Sequence, residues 1–175
     1  MSQPKDNPSR NHFCQPAMLD EIDRQILSIL QMDGRIANAE LARRVGLSPS
    51  TTLTRLRQLE EAGFIRQYTA VLSAEKLDFH ILCIIHIGLQ AHQSTVLENF
   101  RQAMHALPEV QACYHITGEY DYLLKVVVRD RHALEQFVTT RLSATPGVTR
   151  IHTSLVLSEI KESFALPIPP TPTQE

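Results

Sequence analysis

The hydrophobic spacing of this chain changes period once, near Gly63, and that change limits the possible folds more than any other feature. Before it, apolar residues recur at helical spacing in short blocks punctuated by glycine; after it, strand-length apolar runs take turns with helical blocks. The pattern predicts two small domains in series. Order begins at Leu19. Asp20 is a good N-cap, Asp23 completes a box-like carboxylate pair, and Ile22, Ile26, Leu27, Ile29 and Leu30 follow helical spacing until Gly34 stops the helix. Asn38 is placed to cap a second, short helix carrying Leu41, Ala42 and Val45 and ended by Gly46. Ser48 caps a third, with Pro49 at its first position, where a missing N–H costs nothing. This helix runs through an apolar stripe of Leu53, Leu56 and Leu59 to Gly63. The short turn Gly46-Leu47 between the last two helices makes a helix-turn-helix arrangement.

Beyond Gly63, Phe64 to Leu72 reads as extended and Ser73 to Lys76 breaks it. Strands are then predicted at Leu82–Leu89, Val110–Ile116, Tyr122–Val128 and Val148–Ile160, with helices at Thr95–Leu107 and Arg131–Leu142. The order βαββαβ is that of a ferredoxin-like αβ sandwich, so the class is α+β. The expected divisions are a loose arm (1–18), a helix-turn-helix domain (19–66), an extended connector (67–80), the sandwich (81–162) and a Pro-rich tail (163–175). A trihelical unit of about 50 residues is marginal alone, which favours docking or assembly.

With 43% hydrophobic and 21% charged residues, the chain's 175 residues can bury a core, which excludes a disordered protein. The longest apolar run, Ile81 to Ile85, has strand length and falls far short of the roughly 18 residues of a membrane span. The polar N-terminus lacks the apolar core of a signal peptide, and Cys14, Cys83 and Cys113 show no C-x-x-C spacing. These features fit a cytoplasmic protein. Net charge is −2, distributed as nine Lys and Arg against eight Asp and Glu over residues 1–72, and eight against eleven over the remainder. Charge alone does not announce nucleic acid.

The third helix carries the strongest functional signal. Opposite its apolar stripe lie Thr51, Thr54 and Gln58, flanked by Ser48, Ser50, Arg55 and Arg57, with acids only at Glu60 and Glu61. Hydroxyls and amides bond base edges, guanidinium groups bond guanine or phosphate, and the helix N-terminus favours a phosphate. Such a face suits a recognition helix in the major groove of double-stranded DNA. The same residues also solvate a surface helix, and helix-turn-helix units serve as protein adaptors too. A second signal is the turn Gly118-Glu119-Tyr120-Asp121: glycine exposes backbone N–H groups that hold a carboxylate, and Asp121 could hold an ammonium, the two ends of an α-amino acid. Ordinary hairpin chemistry explains the same residues. His86, His115 and His152 sit on predicted strands without metal-ligand spacing, so no metal site is expected. No nucleophile or P-loop motif argues for an enzyme or a catalytic cofactor.

Four segments carry a resemblance: LDxIDRQILxxLQxDGR from Leu19, LARRVGLSPST from Leu41, RLRQLEEAGFI from Arg55 and GEYDYLLKV from Gly118. In this order, and from Leu19 to Leu166, the chain resembles the leucine-responsive regulatory protein (Lrp/AsnC) family. The resemblance implies a bacterial or archaeal transcription regulator with an N-terminal winged helix-turn-helix. It also implies a C-terminal domain that forms homodimers, assembles them into octamers or similar rings, and senses amino acids. The implied effector residues are Gly118, Glu119, Tyr120 and Asp121 with Ser154, Leu155 and Val156, and, aligned less closely, His115 and Ser143. Leucine responders carry a large aromatic residue where this chain has Ser154, a departure that weighs against leucine as the effector.

Overall fold

The structure is a computed structural model and describes residues 19–90 and 94–169; the arm predicted for residues 1–18 lies outside the described residues. The chain divides into two compact units, one made of residues 1–70 together with 163–175 and the other of residues 71–162. The described part of the predicted tail, residues 163–169, is grouped with the N-terminal unit.

In the N-terminal unit, α1 (Glu21–Leu30), α2 (Asn38–Val45) and α3 (Pro49–Glu61) form the trihelical headpiece. The capping box of α1 forms as the spacing predicts: Asp20 accepts from the Asp23 backbone N–H at 2.8 Å, and the Asp23 carboxylate accepts in return from the Asp20 N–H. Helix α1 ends at Leu30 with Gln31 as its cap, several residues short of Gly34, and the intervening residues turn. Asn38 is not a cap. Ala37 holds that position without a side-chain bond, while the Asn38 amide donates 2.9 Å to the Pro49 carbonyl and ties the start of α2 to the start of α3. Ser48 does cap α3, accepting from the Thr51 N–H. The far end of α3 closes in a Schellman arrangement, with Gly63 at φ +78° and Phe64 N–H bonded to the Leu59 carbonyl.

The headpiece core is Ile26, Leu41, Val45 and Leu59, with Ile22, Leu56 and Ile65 packed against it. The buried stripe of α3 is rotated from the predicted one. Leu53 is 38% exposed, whereas Thr52 is fully buried, its hydroxyl donating to the Ser48 carbonyl at 3.0 Å. That local bond satisfies the polar atom, so threonine can point inward at little cost. Residues 64–70 follow α3 without joining a strand ladder; Tyr68 donates from its hydroxyl to Glu60 at 2.9 Å.

The C-terminal unit contains β1 (Ile81–Leu89), α4 (Ser94–Ala106), β2 (Val110–His115), β3 (Tyr122–Val128), α5 (Arg131–Gln136) and β4 (Val148–Leu155). The strands make one antiparallel sheet in the order β2-β3-β1-β4, which is the split-βαβ order the sequence predicts. Alternation places Cys83, Ile85 and Ile87 of β1, and Tyr122, Leu124, Val126 and Val128 of β3, in the core with Phe100 and Met104 of α4 and with Phe137 and Leu142. Two features differ from expectation by more than a single residue. The last strand stops at Leu155, well before Ile160, after Val156 makes one more backbone bond to Leu82. The last helix widens after Gln136 into a π-helical turn over Phe137–Leu142. Hydroxyl groups there take up backbone carbonyls: Thr139 bonds Glu135, Thr140 bonds Gln136, Ser143 bonds Val138 and Thr145 bonds Arg141. A run so rich in Thr and Ser offers the backbone an alternative to the regular α ladder.

Candidate functional site

The polar face predicted for α3 is exposed along its length: Ser48, Ser50, Thr51, Thr54, Arg57 and Gln58 all reach the surface. Its first turn is knotted by hydroxyls, with Ser48 Oγ 3.0 Å from Ser50 Oγ and 2.8 Å from Thr51 Oγ1. Thr54 donates to the Ser50 carbonyl at 3.1 Å, which leaves its oxygen free to accept. The hydroxyls of Ser48, Ser50, Thr51 and Thr54 are thus held in place, as readout of base edges requires.

Arg55 is placed differently from its neighbours. Its Nη1 lies 2.6 Å from Asp20 and 2.8 Å from Asp23, the two carboxylates of the α1 capping box. Burial works to raise the Asp20 pKa, but the Asp23 backbone N–H and the Arg55 guanidinium outweigh it and hold the carboxyl below its ordinary value of 3.8. Arg55 therefore clamps α3 to the start of α1 and neutralises acids that would otherwise repel a phosphate. A depressed carboxyl contributes stability that is present above its ordinary pKa and lost as pH falls through the folded one. The headpiece is expected to melt at a constant temperature from neutral pH to about pH 4 and lower below it. Asp20→Asn, which still caps, should flatten that drop; parallel melting-temperature curves for the two proteins between pH 7 and 3 would refute the clamp.

In the C-terminal unit, the turn Gly118–Asp121 forms where the sequence places it, with Gly118 at φ +123° and open space where a Cβ would stand. Asp121 is built into the sheet end: its Oδ2 accepts from the Leu89 N–H at 2.7 Å, and its own N–H bonds the Ile87 carbonyl. One carboxylate oxygen is thus engaged by backbone. Glu119 is held by Arg150, which donates to its carbonyl at 2.7 Å and to its carboxylate at 3.2 Å. The same guanidinium lies 5.1 Å over the Tyr120 ring. Tyr120 in turn stands 5.3 Å from His86, which faces His152 across β1 and β4.

Ser154 lies four residues along β4 from Arg150, a separation of about 13 Å at strand rise, and its hydroxyl stands 3.4 Å from His152, whose ring is 6.3 Å from that of Tyr120. Leu155 and Val156 follow it at the end of the strand. His115 stacks on Tyr122 at 4.8 Å, and the Ser143 hydroxyl donates to the Val138 carbonyl. Arg150, His86 and His152 are the residues that sequence reasoning did not place around the turn. Strand alternation puts Arg150, His152 and Ser154 on one face, but only the β1–β4 pairing brings that face beside Tyr120. Among the described residues no group of three or more His, Cys, Asp or Glu could hold a metal, and no helix is long and apolar enough to cross a membrane.

Together these features define a class: a helix-turn-helix headpiece joined to a split-βαβ sandwich with a pinned glycine turn. Residues 19–66 match the winged helix-turn-helix DNA-binding family and residues 82–166 the Lrp/AsnC ligand binding domain. The leucine-responsive regulatory proteins of Klebsiella pneumoniae and Escherichia coli (strain K12) are each 45% identical over 150 residues, spanning 86% of this chain and 92% of theirs. A Neisseria meningitidis transcriptional regulator solved as a complex with L-methionine superposes with a TM-score of 0.82 at 42% identity, covering 85% of this chain and 96% of that one. Escherichia coli AsnC gives 0.75 at 28% identity, covering 84% and 97%. The chain belongs to the Lrp/AsnC family of DNA-binding transcriptional regulators, with an N-terminal winged helix-turn-helix and a C-terminal amino-acid-binding domain.

Proposed function

We propose that this regulator reads double-stranded DNA through the exposed face of α3, with Ser48, Ser50, Thr51, Thr54, Arg57 and Gln58 in contact and Arg55 holding the helix in place. The observation that carries the reading is that this face combines hydroxyls held by local hydrogen bonds with an exposed amide and guanidinium, while the nearby acids Asp20 and Asp23 are already paired. In this reading an α-amino acid sits at the Gly118–Asp121 turn of one copy and against the Ser154–Val156 segment of another, a site completed only where copies meet. The L-methionine complex of the Neisseria meningitidis regulator supports an amino acid as the ligand class, and Ser154 in place of an aromatic weighs against leucine. Exposed apolar residues of the C-terminal unit, among them Leu72, Tyr114, Leu157 and Ile160, support homodimers built into octamers or similar rings, working in the cytoplasm. The effector acts because it binds one assembly better than another; equal affinity would shift nothing. With no strong positive charge, operator affinity rests on several headpieces acting at once.

Titration of operator DNA at two salt concentrations tests the reading face. Arg57→Ala is expected to weaken binding to all sequences and to lower the salt slope by about one, whereas Gln58→Ala should relax sequence preference by about 1–3 kcal/mol. Assembly mass should stay unchanged in both. Binding that is flat across the salt range, with both variants at wild-type affinity, would move the function of α3 to protein contact.

A further inference from the structure

The N-terminal unit contains a contact that the DNA-reading face does not use. The segment following the sandwich returns to α1, and the side-chain amide of Gln31 grips one peptide unit from both sides: Nε2 donates to the Leu166 carbonyl at 3.1 Å while Oε1 accepts from the Leu166 N–H at 2.9 Å. Farther along, Arg24 Nη1 donates to the Pro169 carbonyl at 2.5 Å. Ile168 and Pro169, together with Glu21, Arg24, Ser28 and Arg44, line a surface depression of about 390 Å³ beside this contact.

The spacings agree. Arg24 and Gln31 are two helical turns apart, about 10.5 Å along the axis. Leu166 and Pro169 are three residues apart, about 9–10 Å in a polyproline-like or extended strand. Pro167 and Pro169 enforce that extension on themselves and on Leu166 and Ile168 before them. Proline also removes two N–H donors, so carbonyls are what the segment chiefly offers, and Arg24 supplies a donor to one of them. The headpiece residues involved lie on α1 and on Arg44 of α2, none of them on the α3 reading face.

We propose that the outer face of α1 is a docking surface for an extended Pro-containing peptide, and that its occupant is the chain's own segment 163–169. Gln31 and Arg24 recognise backbone, and the prolines set the conformation they recognise. The contacts lie within the N-terminal unit, which the chain leaves before Val71 and re-enters after Glu162. The proposal stands apart from the assignment of the DNA-reading residues, because it rests on contacts that α3 does not make.

Hydrogen exchange on the full chain tests it. Of the amides in the segment, that of Leu166 is bonded to the headpiece, so it should exchange about tenfold slower than an open amide, the scale of one or two net hydrogen bonds. Gln31→Ala should return Leu166 to the open rate while leaving α1 amides protected, because Gln31 is an exposed cap and not part of the core. Gln31→Glu should do the same, because it sets a carboxylate oxygen against the Leu166 carbonyl. An open rate for Leu166 in the wild type, or protection that survives Gln31→Ala, would overturn the docking. A mixture of Gln31→Ala chains with chains ending at Glu162 identifies the occupant. Protection of Leu166 reappearing in that mixture would mean that tails dock on other copies, contrary to the assignment.

Discussion

Replacing Ile26 by alanine is expected to unfold the headpiece at room temperature and abolish DNA binding while the C-terminal sandwich stays folded. Ile26 is fully buried at the centre of a core that rests on Leu41, Val45 and Leu59. Truncating a buried isoleucine costs about 2–5 kcal/mol, through lost transfer energy and the cavity left behind. A core in a unit this small rarely supplies more than about 3–5 kcal/mol in total. The sandwich has its own core around Phe100, Tyr122 and Leu124, and Ile26 is no part of it. Thermal unfolding followed by circular dichroism should show the early transition lost and the late one unmoved. Leu53→Ala is the control: at 38% exposure it should cost well under the Ile26 change, although the sequence alone puts Leu53 in the core. A single transition that shifts as a whole in Ile26→Ala would show the two units unfolding as one.

Gly147→Ala carries the largest expected effect on the sandwich. Gly147 has φ +89°, where an L-residue is strained, and a Cβ built on it would stand 2.4 Å from the Val96 side chain. Left-handed strain costs about 1–2 kcal/mol. Forcing an extra carbon into packed surroundings costs about 1–3 kcal/mol more. The neighbourhood cannot swing away easily, because the Gly147 carbonyl holds the Gln90 N–H at 2.8 Å and Val96 sits on α4. Denaturant unfolding should therefore report a loss of about 2–5 kcal/mol for the sandwich transition, the sum of those two terms. Gly118→Ala separates them, since φ is +123° there but nothing lies within 4 Å of the new carbon. It should cost only the strain. Adding Val96→Ala to Gly147→Ala should recover the packing share and leave the strain; strict additivity of the two substitutions would mean the contact is not the cause.

What the sequence shows of this fold divides by range. The α1 capping box, the Ser48-Pro49 start of α3 and the Gly63 stop are legible because each is decided within four or five residues. Strand order follows from the βαββαβ succession because crossover connections permit few arrangements. The rotation of α3 is harder to read. Hydrophobicity ranks Leu53 above Thr52, and only the hydroxyl bond to Ser48 makes threonine the cheaper residue to bury. Arg55 reads as part of a DNA face because its partners, Asp20 and Asp23, stand more than thirty positions away, a pairing that only the packing of α3 on α1 creates. For the same reason the polar face of the remaining α3 residues is legible from one helix alone, while Arg150 beside Glu119 and Tyr120 waits on the β1–β4 register.

The return of the tail to α1 has a consequence for how the protein is made. A headpiece whose last piece is Leu166 to Pro169 cannot be finished when its three helices leave the ribosome. The whole sandwich, from Val71 to Glu162, must be synthesised first, a delay of about 5–20 s at ordinary elongation rates. During that interval the nascent chain carries its reading helix without its tail in place, and the final contact forms only after the sandwich has been made. Completion of the first domain is thereby made to report that the second has been made.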